Sequence, residues 1–337
     1  LDSLNCVDYL CFGCETDSID LLNTVAEILI NEPKEYKDLL TINLKTGISF
    51  PKARAKALDE YFKKYNLDYS LDINSKKYAK YPSDITSNSN LDINTFINQP
   101  NNILGIEYIK ALMRFNSKIN PVPLKRLGAG YHSLDTRTKL ASATGIRTAM
   151  ANKDNISGLL PDNCLNIIKN HTTIEYNDFS TVLGSKLLSM DTLDHIEGIN
   201  QDLSNRIANN KYNFTDIETF IPMLQSKNYT YSAISRALLH IILDIKTDGL
   251  KEFISNNYVN YAMILGFNKN TGVLSEISKS TKIPLVSKFA TFYKEADNNQ
   301  RKMLDINLKA DNLYRMIYMN KTSETLPTEF QRQIIIK

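Results

Sequence analysis

Apolar residues in the first part of the chain change from a strand-like run to helix-like spacing. Residues 7–12 form a short, mostly apolar run closed by Gly13, which is typical of a buried strand ending where a ligand could approach the backbone. Apolar positions three and four residues apart then predict helices over residues 19–29 and 52–64. Pro51 stands near the start of the second helix, a position that favours proline.

A polar segment follows, and after it strands and helices alternate again. Residues 66–98 are rich in Asn, Ser, Asp, Lys and Tyr with little periodicity, so we expect a long surface insertion. Beyond it the pattern predicts a helix over 104–115, a strand over 122–127 and a helix over 143–151. This alternation indicates an α/β fold with a mainly parallel sheet, in which ligands bind beyond the carboxyl ends of the strands.

The second half of the chain is mainly helical by pattern. Helical spacing recurs over residues 179–190, 193–209, 216–226, 230–245 and 303–319. Residues 261–267 and 283–286, with a turn at 268–272, predict a small αβ element. We therefore expect two domains, an α/β domain over residues 1–155 and a mostly helical domain over residues 156–337.

Composition excludes several classes of protein. At 337 residues the chain can form two domains, and its 42% hydrophobic and 23% charged residues are ordinary for a soluble globular protein. No apolar run is long enough to span a bilayer, and the residues after Leu1 do not resemble an export signal. We expect a cytoplasmic location, no membrane association, and a chain that begins partway through a longer protein.

The four cysteines are too few and too unevenly spaced for a disulfide framework, which fits a reducing compartment. Cys11 and Cys14 have CxxC spacing, but no second pair or nearby His completes a zinc site. We therefore expect no bound metal at these residues.

Positive charge is concentrated in one block. The net charge of +3 is too small to indicate nucleic-acid binding by itself. Residues 101–150, however, hold eight Lys or Arg against two acids, a balance of +6, while residues 1–100 sum to −4 and residues 151–337 to +1. Three compact motifs lie in or beside this block, at 100–105, 125–132 and 141–147. Cations, Gly-rich turns and hydroxyls together favour a polyphosphate ligand.

Two of these motifs suggest a specific role at a helix start. Ser142, Thr144 and Arg147 place two hydroxyls and a cation where free backbone N–H groups favour a phosphate. The alternative is an ordinary helix capped by Ser142 or Thr144. Asn102, next to Asn101, is either a helix cap or an amide that reads a base or ribose.

The remaining motif, residues 125–132, combines Lys125 and Arg126 with a glycine-containing turn, which is either a phosphate contact or a solvated basic turn. His132 within it could carry a proton, but a structural role is the commoner one for a single His beside a Tyr.

A further basic stretch lies in the helical half. Lys227 and Tyr229 lead into a helix that carries Arg236 and His240 one turn apart on one face. Such a surface could contact an RNA backbone and stack a base, or it could be a solvated helix face.

These stretches together resemble the bacterial tRNA(Met) cytidine acetate ligases, a family of the nucleotidyltransferase superfamily. In the first half the resemblance is carried by residues 11–15, 47–51, 100–105, 125–132 and 141–147, and in the second by 197–198, 227–236 and 308–314. It covers nearly the whole chain outside the polar insertion.

The resemblance implies a Rossmann-like nucleotidyltransferase domain, incomplete at its N-terminus, followed by a helical tRNA-binding domain. It also implies a two-step reaction: ATP, with Mg²⁺, and acetate form acetyl-adenylate, and the wobble cytidine of elongator tRNA(Met) is then acetylated at N4. The implied residues are Gly13, Asn102, Arg126 and Leu127 for ATP, Ser142, Thr144 and Arg147 for phosphates, and Lys227, Tyr229 and Arg236 for tRNA. No protein nucleophile is required.

One difference from the superfamily's pattern leaves two other functions as alternatives. The superfamily's HxGH motif does not occur in these residues. The chain could therefore belong to an RNA-binding protein with impaired catalysis. A small-molecule adenylyltransferase is the third candidate, although such a substrate does not need so large a helical domain.

Overall fold

The computed structural model describes residues 1–65, 93–126, 141–269 and 272–337. The chain forms two compact units, Leu1–Asp162 and Asn163–Lys337. The sequence predicts the boundary after residue 155, in the segment that precedes the division seen in the structure. Each unit has its own cluster of buried apolar side chains, so each has an independent core.

Within the described residues, the sheet of the first unit consists of two parallel strands, β1 (Tyr9–Cys14) and β2 (Asn120–Lys125), as the sequence predicts. Side chains along the second half of β1 alternate between exposed and buried, with Phe12 and Cys14 facing the core. The expectation that Gly13 ends the strand is wrong, because Gly13 lies inside β1 and pairs with Leu124.

Two prolines fix which side of β2 can bond to a strand. Asn120 and Arg126 donate their backbone N–H groups to the carbonyls of Asp8 and Cys14. Alternate residues of a strand point their N–H groups to opposite sides, and Pro121 and Pro123 occupy the opposite-facing positions without an N–H. The far side of β2 is therefore poor in donors.

The described residues of the first unit also form helices. They are α1 (Ile19–Asn31), α2 (Lys34–Lys45), α3 (Phe50–Lys64), α4 (Ile93–Asn98), α5 (Pro100–Arg114) and α6 (Ala143–Ala151). Of these, α1 and α5 contact the strand pair. Helix α1 begins after Ser18, whose side chain accepts a hydrogen bond from the backbone of Leu21. Helix α5 packs on both β1 and α1, which places its first turn beside the carboxyl end of β1.

The predicted surface insertion at residues 66–98 is wrong for its last six residues. These residues form α4, and Ile93, Phe96 and Ile97 are buried in the core of the first unit. Their spacing of three and four residues puts all three on one helix face. The remainder of the proposed insertion, residues 66–92, lies outside the described residues.

The second unit is mainly helical, as predicted. After α7 (Asp162–Asn170), at the boundary, it contains α8 (Ser180–Ser189), α9 (Gln201–Asn210), α10 (Ile217–Leu224), α11 (Tyr231–Leu243), α12 (Thr247–Ser255), α13 (Val273–Ser280), α14 (Phe289–Glu295) and α15 (Asn298–Thr322). Its strands form two short parallel pairs, β3 (Ala262–Met263) with β5 (Leu285–Val286), and β4 (Gly266–Phe267) with β6 (Ile335–Ile336).

The helix predicted over 193–209 begins only at Gln201. Gly198 has a φ of +82°, which a right-handed helix does not allow, and the side chain of Asn200 accepts a bond from the Leu203 backbone to cap α9. Within the described part of the chain, no helix combines the length and apolar character needed to cross a membrane.

Candidate nucleotide site and RNA-binding surface

Gly13 and Arg126 lie side by side at the carboxyl end of the strand pair. The backbone N–H of Arg126 donates to the Cys14 carbonyl at 2.8 Å, which extends the pairing one residue beyond β2. A Cβ at position 13 would be 3.3 Å from Cγ of Arg126, closer than an ordinary packing contact. Glycine therefore lets the Arg126 side chain pass over β1, and both residues are exposed, as a ligand contact requires.

The segment that leaves β1 is bonded to the first turn of α5. Glu15 Oε1 accepts from the side-chain amide of Asn101 at 2.6 Å, and Oε2 accepts from the backbone N–H of Asn102 at 3.0 Å. In return, Oδ1 of Asn102 accepts from the backbone N–H groups of Glu15 and Thr16, at 3.0 and 3.1 Å. We call Glu15, Asn101 and Asn102 the Glu15 network.

Asn102 is placed beneath the surface. Its side chain is 0% exposed, and its Nδ2 donates to Oε1 of Gln99 at 2.7 Å and to the Phe96 carbonyl at 3.1 Å. Both lone pairs of Oδ1 and both Nδ2 protons are thus used within the protein. A direct contact between this amide and ATP would have to compete with these bonds, and the expected contact stays a prediction.

The two cysteines of the CxxC sequence face opposite sides of β1. Cys11 is exposed, whereas Cys14 is buried and its thiol donates to the Leu124 carbonyl at 3.6 Å. Burial, followed by the carboxylates of Asp17 and Glu15, raises the pKa of Cys14 to about 11. Across the residues that the structure describes, no group of three or more His, Cys, Asp or Glu side chains could hold a metal ion.

Helix α6 begins as predicted behind Ser142. The buried Ser142 hydroxyl accepts from the Gly145 backbone N–H at 3.0 Å, so it is the N-cap of α6. Thr144 is half-buried and Arg147 is exposed, and the first turn contains no acid. That α6 shares one crevice with Gly13 and Arg126 stays a prediction. Leu127 and His132 lie outside the described residues.

In the second unit, Tyr229 is fixed by two polar neighbours. Its hydroxyl donates to Oδ1 of Asn200 at 2.6 Å, and the guanidinium of Arg206 lies over its ring, 5.9 Å from the centroid. Lys227 and Arg236 are exposed. Sequence reasoning missed Arg206, although its i,i+4 spacing from Asp202, with which it forms an ion pair, marks an exposed helix face.

His240 does not belong to this exposed surface. Its Nδ1 is 2.8 Å from the carbonyl of Glu197, and a Cβ at Gly198 would lie 3.9 Å from the same nitrogen. The imidazole holds the turn before α9 against α11. We therefore assign His240 a structural role.

Known proteins match this chain along both of its units. The family model described as HIGH Nucleotidyl Transferase matches residues 1–329. The tRNA(Met) cytidine acetate ligase of Thermoanaerobacter sp. strain X514 is 32% identical over 330 residues, covering 96% of this chain and 75% of the relative. That of Clostridium perfringens is 31% identical over 324 residues, covering 94% of this chain and 73% of the relative.

Solved structures show the same fold. The crystal structure of Thermotoga maritima TmcAL bound with alpha-thio ATP superposes with a TM-score of 0.81 at 25% identity, and the match covers 100% of this chain and 78% of that one. The apo crystal form of the same protein gives the same values. The nucleotidyltransferase fold with a helical C-terminal region is therefore established for this chain. With a family match along almost its whole length and more than 30% identity to named relatives, the chain belongs to the tRNA(Met) cytidine acetate ligases, a family of HIGH nucleotidyltransferases.

Proposed function

We propose that this protein uses ATP to activate acetate and then acetylates N4 of the wobble cytidine of elongator tRNA(Met). In the first step an acetate oxygen attacks the α-phosphorus, the bond to the β-phosphate oxygen breaks, and pyrophosphate leaves with that electron pair. In the second step the cytidine N4 amine attacks the acetyl carbon, AMP leaves, and the amine loses a proton. The observation that carries this proposal is the continuous match to named ligases through both units.

The first unit is the proposed nucleotide site. Gly13 lets the nucleotide approach the backbone of β1, and Arg126 beside it supplies positive charge to the phosphates. Leu127 is a further proposed ATP contact, and Asn102 supports the site from below. Ser142, Thr144 and Arg147 are the proposed phosphate contacts at the start of α6, and Mg²⁺ arrives bound to the phosphates of ATP.

The second unit is the proposed tRNA-binding surface, and the protein acts on tRNA in the cytoplasm. Lys227 and Arg236 neutralise backbone phosphates, while Tyr229 offers a ring face to an unstacked base. Arg206 lies over that ring and Tyr229 also packs against the core of the second unit, so a base would stack on the part of the ring that stays exposed. This arrangement fits a single-stranded loop, whose bases are accessible, better than a duplex.

The test is acetylation of elongator tRNA(Met) by the whole protein with ATP and isotopically labelled acetate. We expect mass spectrometry of the digested tRNA to find label on cytidine, and no label on a transcript with uridine at the wobble position, which lacks the N4 amine. Gel shift without label would instead favour an RNA-binding protein without catalysis. Pyrophosphate release that is independent of tRNA and acetate would favour a small-molecule adenylyltransferase.

Substituting Arg126 tests where the proposed ATP site lies. Removing a charge-assisted contact costs about 1.5–3 kcal/mol, so Arg126→Ala should raise the KM for ATP at least about tenfold. Arg114→Ala is the control, because Arg114 is also exposed but lies at the far end of α5. Equal KM values for ATP in the two variants would mean that the site is placed wrongly.

A further inference from the structure

The Glu15 carboxylate occupies the N-terminal end of α5. The first backbone N–H groups of a helix have no partner inside it and favour an anion. Glu15 supplies that anion from 86 residues away, with its two oxygens on the Asn101 amide and the Asn102 backbone. A phosphate at this helix end would meet a carboxylate already in place. Glu15 therefore ties two segments together, whereas the first turn of α6 contains no acid.

The tie is reciprocal, because Asn102 bonds back to the backbone of Glu15 and Thr16. On its other side the same segment is held by β2, through the bond from the Arg126 N–H to the Cys14 carbonyl. The backbone from Gly13 to Thr16 is thus fixed from two directions. Since Gly13 lies only two residues before Glu15, a change in the network would shift the backbone that the proposed function places against the nucleotide.

We propose that Glu15 is a positioning residue for the nucleotide: it sets the path of the backbone at Gly13, and so the affinity for ATP, without touching ATP itself. This inference rests on the proposed function of the first unit. On this proposal the Glu15 network holds the segment in place before ATP binds, so that ATP binding does not have to order a loose segment.

The variant Glu15→Gln tests the inference. Glutamine has the same shape, but one of the two acceptor oxygens becomes an NH2 donor, so the side chain can accept from only one of the Asn101 and Asn102 N–H groups, and the charge is lost. We expect the dissociation constant for ATP, measured by titration calorimetry on the full chain, to rise about tenfold, which is the scale of one charge-assisted hydrogen bond. The kcat at saturating ATP should stay at the wild-type value, since Glu15 does not touch the reacting atoms.

The matched control is Glu60→Gln in the same unit. Glu60 also accepts from a buried asparagine, Asn43 Nδ2 to Oε2 at 3.1 Å, but the pair joins α2 to α3. Both variants should lower the melting temperature, and only Glu15→Gln should weaken ATP binding.

Wild-type affinity in Glu15→Gln, or equal weakening in Glu60→Gln, would overturn the positioning role while leaving the proposed function intact. A fall in kcat with unchanged affinity would overturn it too, because it would place Glu15 in the chemical step. Failure of the wild-type chain to bind ATP would instead remove the proposed function itself, and the inference with it.

Discussion

At the scale of single residues, Cys14 illustrates how a strand separates close neighbours in sequence. Cys11 and Cys14 are three residues apart, so the alternation of β1 sends them to opposite faces. Only Cys14 is buried, and its pKa of about 11 keeps the thiol protonated at physiological pH. The pair therefore cannot close on one metal ion or form a disulfide without unfolding the strand.

This burial predicts a selective thiol reactivity. At about pH 8.5, near the pKa of a free thiol, iodoacetamide should modify Cys6 and Cys11 and leave Cys14 intact. Cys14 should react only after urea unfolding, as judged by peptide mass spectrometry. Modification of Cys14 at the rate of Cys11 in the folded chain would contradict its burial.

The raised pKa of Cys14 also predicts how the stability of the fold changes with pH. The folded pKa of Cys14 is raised from 9.0 to about 11, so its contribution is complete below about pH 9 and is lost as the pH rises toward 11. The free energy of unfolding should fall through that window more steeply in the wild type than in Cys14→Ser, whose hydroxyl does not titrate there.

Residue chemistry predicts part of the site and misses another part. The Ser142 cap and the proximity of Gly13 to Arg126 follow from local rules, since the carboxyl ends of parallel strands meet at one edge of a sheet. The Glu15 network does not follow from such rules. A carboxylate and two amides that meet across 86 residues leave no periodic signal in the sequence.

At the scale of elements, the contact between α5 and β1 depends on one glycine. A Cβ at Gly105 would lie 2.5 Å from Cε2 of Phe12, whose ring is buried and also packs edge-on against Tyr108 at 5.7 Å. Helix α5 therefore approaches the strand closely, which brings the first turn of α5 within reach of Glu15.

Gly105→Ala should accordingly destabilise the first unit. Overpacking a core contact costs roughly 1–3 kcal/mol, which outweighs the better helix propensity of alanine. Gly249→Ala in α12 is the control, because nothing lies within 4 Å of a Cβ there, and it should gain up to roughly 1 kcal/mol. Urea unfolding measures both, and a stabilised Gly105→Ala would show that α5 does not press on Phe12.

Element prediction succeeds where apolar spacing is regular and fails where helices are short or polar. The spacing of apolar residues does not reveal helix α2, because this helix buries only two residues, Tyr36 and Asn43, and one of them is polar. Helix α4 is hidden at the end of a long polar segment. In the second unit, α12 and α13 are only nine and eight residues long and contain no fully buried residue, although apolar residues such as Leu250, Phe253 and Ile254 recur at helical spacing.

At the scale of the whole molecule, each unit folds around its own core, and the two carry different chemistry. The positive block at residues 101–150 belongs to the first unit, where the ATP site is proposed. The second unit has a nearly balanced net charge, so the tRNA binding proposed there would depend on a few well-placed cations rather than on a general positive field.

The salt dependence of tRNA binding distinguishes residues that contact tRNA phosphates from a residue that stacks on a base. Each phosphate contact adds about 0.7–0.9 to the slope of log affinity against log salt, so Lys227→Ala and Arg236→Ala should each lower that slope by about this amount. Tyr229→Leu should weaken binding without changing the slope, because stacking releases no counterions.

Lys251→Ala is the control: Lys251 is exposed in the same unit and paired with Asp248 at 3.3 Å, so its loss should leave the slope unchanged. Fluorescence anisotropy with labelled elongator tRNA(Met) over a series of KCl concentrations measures all four variants. If Lys227→Ala and Arg236→Ala keep the wild-type slope, the tRNA backbone contacts lie elsewhere on the protein.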